Sequence, residues 1–163
     1  MDLISVRELF KNTSAYADKE ITVGGWVRAN RKSKQFGFIS LNDGTYFTPV
    51  QVVYTDAMEN FQEIAKVNIG AALIITGKLL LTPDAKQPFE IQATEVTVEG
   101  PSASDYPMQK KRHTVEFLRT MPHLRPRTNM FQAVFRVRSL AANAIHQFFQ
   151  ERDFVYVHTP LIT

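Results

Sequence analysis

The chain contains no cysteine. Disulfides and cysteine-ligated zinc are therefore excluded. The composition suits a reducing compartment, so a cytoplasmic location without a membrane partner is expected. No apolar run approaches the roughly 20 residues that cross a bilayer. The start, Met-Asp-Leu-Ile-Ser, lacks the basic opening and apolar core of a signal peptide. There is no phosphate-binding glycine loop, no Gly-x-Ser-x-Gly elbow and no pair of carboxylates on one helix face. His113, His123, His146 and His158 stand in four separate contexts without metal-ligand spacing. Neither a catalytic nor a metal-binding residue is assigned.

What is present is the composition of a folded protein, 44% hydrophobic and 21% charged over 163 residues. That is room for one full domain plus a further piece, or one large domain. The net charge of +3 is unevenly spread: residues 1–100 hold 10 Lys/Arg against 12 Asp/Glu, whereas residues 101–163 hold 9 against 4. A polyanionic partner is compatible with the basic excess of the second part. A solvated basic surface has the same composition, so charge does not decide.

Periodicity says more. Ser5-Val6-Arg7-Glu8 has the spacing of a capping box that opens a short helix, with Ile4 and Leu9 placed as a hydrophobic staple. From Glu20 the period changes to two: Ile21, Val23, Gly25 and Val27 alternate with more polar neighbours, and Gly24-Gly25 is expected to form a bulge or tight bend. A second strand is expected at residues 35–41, followed by the turn residues Asn42-Asp43-Gly44, and a third at residues 50–54. Met58, Phe61, Ile64 and Ala65 have helical spacing within residues 57–67. A long strand at residues 72–81 and a fifth at residues 89–99 complete the series. Five strands with a helix between the third and fourth give a mainly β fold, the five-stranded Greek-key barrel called the OB-fold, here preceded by an N-terminal helix. Barrels of this kind bind oligonucleotides.

Gly100–Pro107 is a Pro/Ser-rich break, and residues 110–127 mix bases, histidines and prolines without clear periodicity. Asn129 is expected to cap a long helix reaching about Arg152. Its stripe is Phe131, Val134, Phe135, Arg138, Ala141, Ala142, Ile145, Phe148 and Phe149. Phe154–Val157 begins a strand for which no partner remains, so a continuation past Thr163 is expected. The chain thus reads as a barrel at 1–100, a linker or hinge at 101–128, and the start of a second domain at 129–163.

Strand parity sorts side chains by face. With Ile39 and Leu41 inward, Phe36 and Phe38 point outward. Gln51 is outward between Val50 and Val52, and Glu90 and Gln92 are outward between Phe89, Ile91 and Ala93. Arg28, Arg31, Lys32 and Lys34 form a basic stretch read as the loop between the first two strands. Rings that stack on bases, amides and carboxylates that meet base edges, and cations that meet phosphates are what single-stranded nucleic acid requires. Phenylalanines are also commonly core residues, so cover by a helix or the linker is the competing reading of Phe36 and Phe38.

Three segments, Gly25-Trp26-Val27-Arg28, Phe36-Gly37-Phe38-Ile39 and Val50-Gln51-Val52, resemble the anticodon-binding domain of the aspartyl, asparaginyl and lysyl tRNA synthetases. Glu116-Phe117-Leu118-Arg119, followed by His123-Leu124-Arg125-Pro126-Arg127-Thr128, is similar to the asparaginyl branch. Residues 154–163, after the long helix, resemble motif 1 of class II synthetases, the first helix and strand of their α+β catalytic domain. The resemblance spans essentially the whole chain.

It implies that Phe38 stacks on the central anticodon base, U for all three amino acids, and that Gln51 and Arg31 read or anchor that base and its backbone, with Arg28 competing for the role of Arg31. It places Gln92 where aspartyl enzymes carry a carboxylate facing the third base. A carboxylate suits the amino group of C, whereas an amide can donate to O4 of U. Asparagine anticodons end in U and aspartate anticodons in C. Glu90 is the alternative reader if the register shifts by two. Motif 1 implies a homodimer, with Phe131, Arg138 and Pro160 at its interface. The complete enzyme would use ATP and Mg2+ to join asparagine to tRNA(Asn) through asparaginyl-adenylate. Motifs 2 and 3 would lie beyond Thr163, so this chain is expected to bind the tRNA(Asn) anticodon stem-loop without catalysing. Two other readings stay open: a free-standing OB-fold protein for single-stranded nucleic acid, and an aspartyl or lysyl relative.

Overall fold

The computed structural model describes residues 2–85 and 87–160. The chain divides into two compact units, one up to Arg112 and one from His113 onward. In the first, helices α1 (Val6–Lys11) and α2 (Thr13–Tyr16) precede strands β1 (Glu20–Lys32), β2 (Phe36–Asn42) and β3 (Val50–Thr55). A short helix α3 (Phe61–Ile64) then leads to β4 (Ala72–Leu81) and β5 (Phe89–Gly100). The strands close in the order β1-β2-β3-β5-β4. Only β3 and β5 run parallel; the other pairs are antiparallel. This is the mainly β, five-stranded OB-fold barrel that the strand count leads one to expect.

Alternation puts Ile21, Val23, Val27, Ile39, Leu41, Val50, Val52, Tyr54, Leu73, Ile75, Leu79, Phe89 and Ile91 in the interior. The register slips at Glu99, an extra residue between Val98, which faces Leu73, and Gly100, which faces Ala72, and the alternation slips at two further places. One slip is at Arg28, an extra residue between Val27, which faces Leu41, and Ala29, which faces Ser40. The other is at Thr94, after which Val96 takes over the inward set. The bulge expected at Gly24-Gly25 is therefore displaced. Those two glycines pair regularly with Ile74 and Leu73. Gly25 is needed for close approach instead, because a Cβ there would lie 2.9 Å from the Asn42 carbonyl oxygen. Bulges increase local twist and bend the strand, which a small barrel needs in order to close.

The two ends of the barrel are closed differently. At the start of β5, Val6 and Leu9 of α1 are fully buried, and Phe10 stacks on Tyr46 at 4.6 Å and meets Phe89 at 5.0 Å. The Ser5 hydroxyl accepts from the Glu8 amide at 3.2 Å, the first half of the expected capping box. The Glu8 carboxylate accepts from Asn12 Nδ2 and the Tyr16 hydroxyl. Asp43, in the β2–β3 turn, accepts from the Val6 amide at 2.9 Å and ties the helix start to the barrel.

At the opposite end, Phe61 and Ile64 of α3 cover Tyr54 at the end of β3. This helix has four residues instead of the expected 57–67. The reason is polar competition. Asn30 Nδ2 donates to the carbonyls of Ile64 (2.7 Å) and Val67 (3.3 Å), and Asn60 Nδ2 donates to the Val96 carbonyl (2.8 Å). Asn30 thus takes two carbonyls at which a longer helix would continue, while Asn60, just before the helix, is tied to β5. The Tyr54 hydroxyl donates to Asn30 Oδ1 at 2.9 Å, and burial pushes its pKa up from the ordinary value.

The Pro/Ser-rich segment after β5 packs back on the barrel. Tyr106 lies against Gly70, whose φ of +89° places it in the left-handed region, and Asn68 Nδ2 donates to the Ser102 carbonyl.

In the second unit, α4 (Val115–Arg119) and a 3-10 turn (Arg125–Arg127) lie in the stretch that shows no periodicity, being too short to display one. The long helix α5 (Asn129–Gln150) is capped by Thr128, whose hydroxyl accepts from the Phe131 amide, one residue before the expected Asn129. Phe131 and Phe135 are half-buried beneath the Arg125 guanidinium, at 4.8 and 5.8 Å from its centre. No residue of α5 is fully buried; Val137 and Leu140 are 65% and 70% exposed. The strand expected at Phe154–Val157 does not form. A strand needs a neighbour for its backbone groups, and here the Phe154 amide turns back to the Phe149 carbonyl at 3.1 Å. Leu161–Thr163 of the motif 1 resemblance lie outside the described residues.

Replacing Asn30 by alanine removes a partner from Tyr54 and from the Ile64 and Val67 carbonyls. It is expected to cost about 1–3 kcal/mol in urea unfolding. The loss should be smaller than additive with Tyr54→Phe, because the two side chains share one bond.

Candidate nucleic-acid interface

Residues directly opposite in neighbouring strands share a face. Arg31 on β1 faces Phe38 on β2, Phe38 faces Val53 on β3, Val53 faces Gln92 on β5, and Gln92 faces Lys78 on β4. One step along, Ala29 faces Ser40 and Ser40 faces Gln51, while Glu90 lies on β5 two residues before Gln92. Backbone register therefore places five of the six expected binding residues, Arg31, Phe38, Gln51, Glu90 and Gln92, in two adjacent rows on the outer wall.

The basic stretch is not a loop. Strand β1 runs through Lys32, and only residues 33–35 connect it to β2. Arg31 is consequently held by the ladder and exposed, whereas Arg28 is the half-buried residue of the bulge and has no opposite number on β2. The two arginines are separated by that geometry. Lys32 donates to Gln62 at 2.7 Å and lies 5.3 Å from the Phe61 ring centre.

Phe36 and Phe38 meet edge to face at 5.4 Å. Phe36 is 40% exposed and Phe38 is half-buried, so the pair is not buried under a helix or the linker. Gly37 between them is what sets both rings outward. A Cβ there would come within 2.2 Å of the Tyr54 ring, so the interior side of β2 at this position is filled by Tyr54. Gln51 donates through Nε2 to Glu90 Oε2 at 3.4 Å, and both are half-buried; Gln92 is exposed. Three members of the wall were not singled out from sequence: Ser40, Val53 and Lys78. Outward parity on β2, β3 and β4 marks them, but parity alone does not show which strands are neighbours. Lys78 is also engaged by Asp18 at 3.0 Å.

The face holds a stacking platform, an amide, a carboxylate and exposed cations. These are groups for bases and phosphates rather than for bond-breaking chemistry. Among the described residues there is no group of three or more His, Asp or Glu side chains able to hold a metal ion. His113 stacks on Phe117 at 5.1 Å, and His146 meets Tyr156 edge-on at 4.6 Å.

A family model described as an OB-fold nucleic acid binding domain (tRNA anti-codon) matches residues 21–99. An asparagine–tRNA ligase of Alkaliphilus oremlandii is 62% identical over 163 residues, covering 100% of this chain and 35% of the relative. One from Acetivibrio thermocellus is 61% identical over 159 residues, covering 97% and 34%. Over its whole length the chain is homologous to the N-terminal part of asparaginyl-tRNA synthetases. Its barrel is homologous to the OB-fold anticodon-binding domain of those enzymes. The fold agrees with the crystal structure of asparaginyl-tRNA synthetase from Pyrococcus horikoshii complexed with asparaginyl-adenylate, at a TM-score of 0.86 and 20% identity over 99% of this chain and 37% of that one. The homology covers α4 and α5 as well as the barrel, which sets aside a barrel-only protein. The chain spans about 35% of the length of the curated relatives it matches. No helix among the described residues is long and apolar enough to cross a membrane.

The wall tolerates change outward but not inward. Gln92→Ala is expected to shift unfolding free energy by no more than about 0.5 kcal/mol. Gly77→Ala, whose new Cβ would lie 2.3 Å from the Gln92 carbonyl oxygen, should cost at least about 1–3 kcal/mol. Parallel thermal and urea melts of the two variants check this contrast.

Proposed function

We propose that the outer wall of β1, β2, β3 and β5 binds the anticodon of tRNA(Asn) and reads it base by base. Phe38 stacks on the central U, Gln51 meets the edge of that base, and Arg31 neutralises the neighbouring phosphate. Gln92 meets the third base and donates to O4 of U, as an amide can and a carboxylate cannot. The observation that carries this reading is the register itself, since Arg31, Phe38, Val53 and Gln92 form one row across four strands of an anticodon-binding barrel. Arg28, in the bulge, serves the twist of the strand more than the base. Glu90 stands beside the reader and not in place of it.

The complete protein, in this reading, works in the cytoplasm and joins asparagine to tRNA(Asn) with ATP and Mg2+ through an adenylate. No described residue is assigned to hold either cofactor. Recognition and catalysis then belong to different parts of the protein, and the share formed here delivers the tRNA to the other.

Phe38→Ala should weaken binding of tRNA(Asn) by roughly 5–150-fold, the value of one base–aromatic stack, with the circular dichroism of the barrel retained. In the same filter-binding assay, Gln92→Glu should move preference at the third base from U toward C. A Gln92→Glu protein with unchanged preference, or a Phe38→Ala protein with unchanged affinity, overturns the corresponding assignment.

We also propose that α5 forms a homodimer interface with Phe131, Arg138 and Pro160. Support comes from the exposed apolar residues Val134, Val137, Leu140, Ile145 and Phe148, a larger apolar surface than a solvated helix normally carries. Sedimentation equilibrium of the complete protein should give a dimer, reduced to monomer by Val137→Asp with Leu140→Asp; a dimer unaffected by both changes sinks this placement.

A further inference from the structure

Gln51 and Glu90 are joined on the outer wall by a contact that base-by-base reading of the anticodon leaves without a role. The parallel register of β3 and β5 sets Val52 opposite Ile91 and Val53 opposite Gln92, so Gln51 and Glu90 come level one step earlier. There Gln51 Nε2 donates to Glu90 Oε2 at 3.4 Å. We infer that Glu90 is a positioning residue that fixes which way round the Gln51 amide faces the central anticodon base, and so makes Gln51 distinguish U from C. The inference rests on Gln51 being the reader of that base.

The reason lies in the symmetry of an amide. A glutamine head group turned by 180° exchanges its donor and its acceptor with almost no change of shape. Uracil presents an N3–H donor beside the O4 acceptor. Cytosine presents an N3 acceptor beside the N4 amino donor. A base held in place by stacking on Phe38 therefore meets complementary groups from a free glutamine in either case, through one amide orientation or the other. Such a reader accepts both pyrimidines.

A carboxylate next to the amide removes that freedom. It offers acceptors only, so it draws the NH2 end toward itself and repels the carbonyl end. The orientation is settled by polarity and not by how strong one long hydrogen bond is. With Nε2 drawn to Glu90, Oε1 is turned away from the carboxylate. The second Nε2 hydrogen remains to complete a two-point contact with the base edge. One pyrimidine matches this fixed pattern. The other meets donor against donor and acceptor against acceptor, which leaves polar groups unpaired as the site closes. Half-burial of both side chains strengthens the effect, because water screens the pair less than at a fully exposed site.

The test compares anticodon stem-loop RNAs carrying U or C at the central position, bound by the full chain and its variants. The unchanged chain should prefer U by roughly tenfold or more, the discrimination of a good bidentate base contact. Glu90→Gln keeps the shape but offers either a donor or an acceptor to Gln51. It should hold U binding within a few-fold while C binding rises, so that the U/C ratio collapses toward one. Glu90→Ala should lower the ratio in the same direction, and Gln51→Ala should abolish it. A second readout without RNA is the side-chain amide resonance pair of Gln51, which should move in Glu90→Gln. Several outcomes overturn the inference: a U/C ratio that survives both Glu90 variants, or equal loss of both RNAs, which would make Glu90 only a structural support. If the ratio survives Gln51→Ala, the reading of the central base by Gln51 falls first, and that result is distinguishable from the failure of Glu90 alone.

Discussion

The outer wall proposed to bind the anticodon depends on one contact made beneath it, Tyr54 against Gly37. Strand β2 has no side chain to place in the barrel at that position, and the tyrosine ring of β3 fills the space. Its hydroxyl is satisfied by Asn30 of β1, whose amide also holds the carbonyls that end α3. A buried phenol without that partner would cost about 1–3 kcal/mol. Three strands and the covering helix are thereby locked at the end of the barrel that carries Phe36, Phe38 and Arg31. Residues inside the barrel thus decide where the outward-facing ones stand.

The rest of the wall results from closing a small barrel. Bulges at Arg28, Thr94 and Glu99 supply the extra twist, and the first two reverse the parity of the strand residues beyond them. Past Arg28, Ala29 and Arg31 come to face outward opposite Ser40 and Phe38. A reader placed on such a ladder is positioned by many backbone bonds and loses little entropy on binding. That is why polar recognition groups on strands can discriminate bases that differ only in the direction of a hydrogen bond. The electrostatics are modest: the barrel part of the chain is slightly acidic, its exposed cations such as Arg31 are local, and the basic excess lies in the second part.

The second unit presents the opposite situation. Helix α5 has a clear apolar pattern, and only its two ends are packed on: the Arg125 guanidinium lies over Phe131 and Phe135, and Phe154 and Tyr156 meet Phe149 and His146. An amphipathic helix draws most of its stability from the surface that covers its apolar face. The segment after it likewise leaves Val155 86% exposed and without strand partners. The barrel is complete in itself, and this helix is built to be covered.

Much of the fold was legible in sequence because alternation of period two is a local property: Ile39-Ser40-Leu41 and Val50-Gln51-Val52 declare their inward sides without reference to anything distant. The number of strands, their parity, the capping of α1 by Ser5 and the outward direction of Phe38, Gln51 and Gln92 were determined in this way. The family resemblance rested on short segments too, some in the barrel and others at residues 116–128 and 154–163. Other features were not local. The bulge at Arg28 in place of Gly24-Gly25, the extension of β1 through Arg31, and the shortening of α3 each depend on a partner far along the chain: Leu41 and Ser40, Phe38, and Asn30. Thr128 displaced Asn129 as a cap because backbone geometry, and not residue type alone, selects between neighbours that can both accept. Above all, the meeting of Gln51 with Glu90 needs β3 and β5 to lie side by side in parallel at one register. The sequence by itself determined which residues face outward; tertiary structure decided which of them are neighbours, since pairing between strands is set by closure of the whole barrel and leaves no periodic trace in either strand.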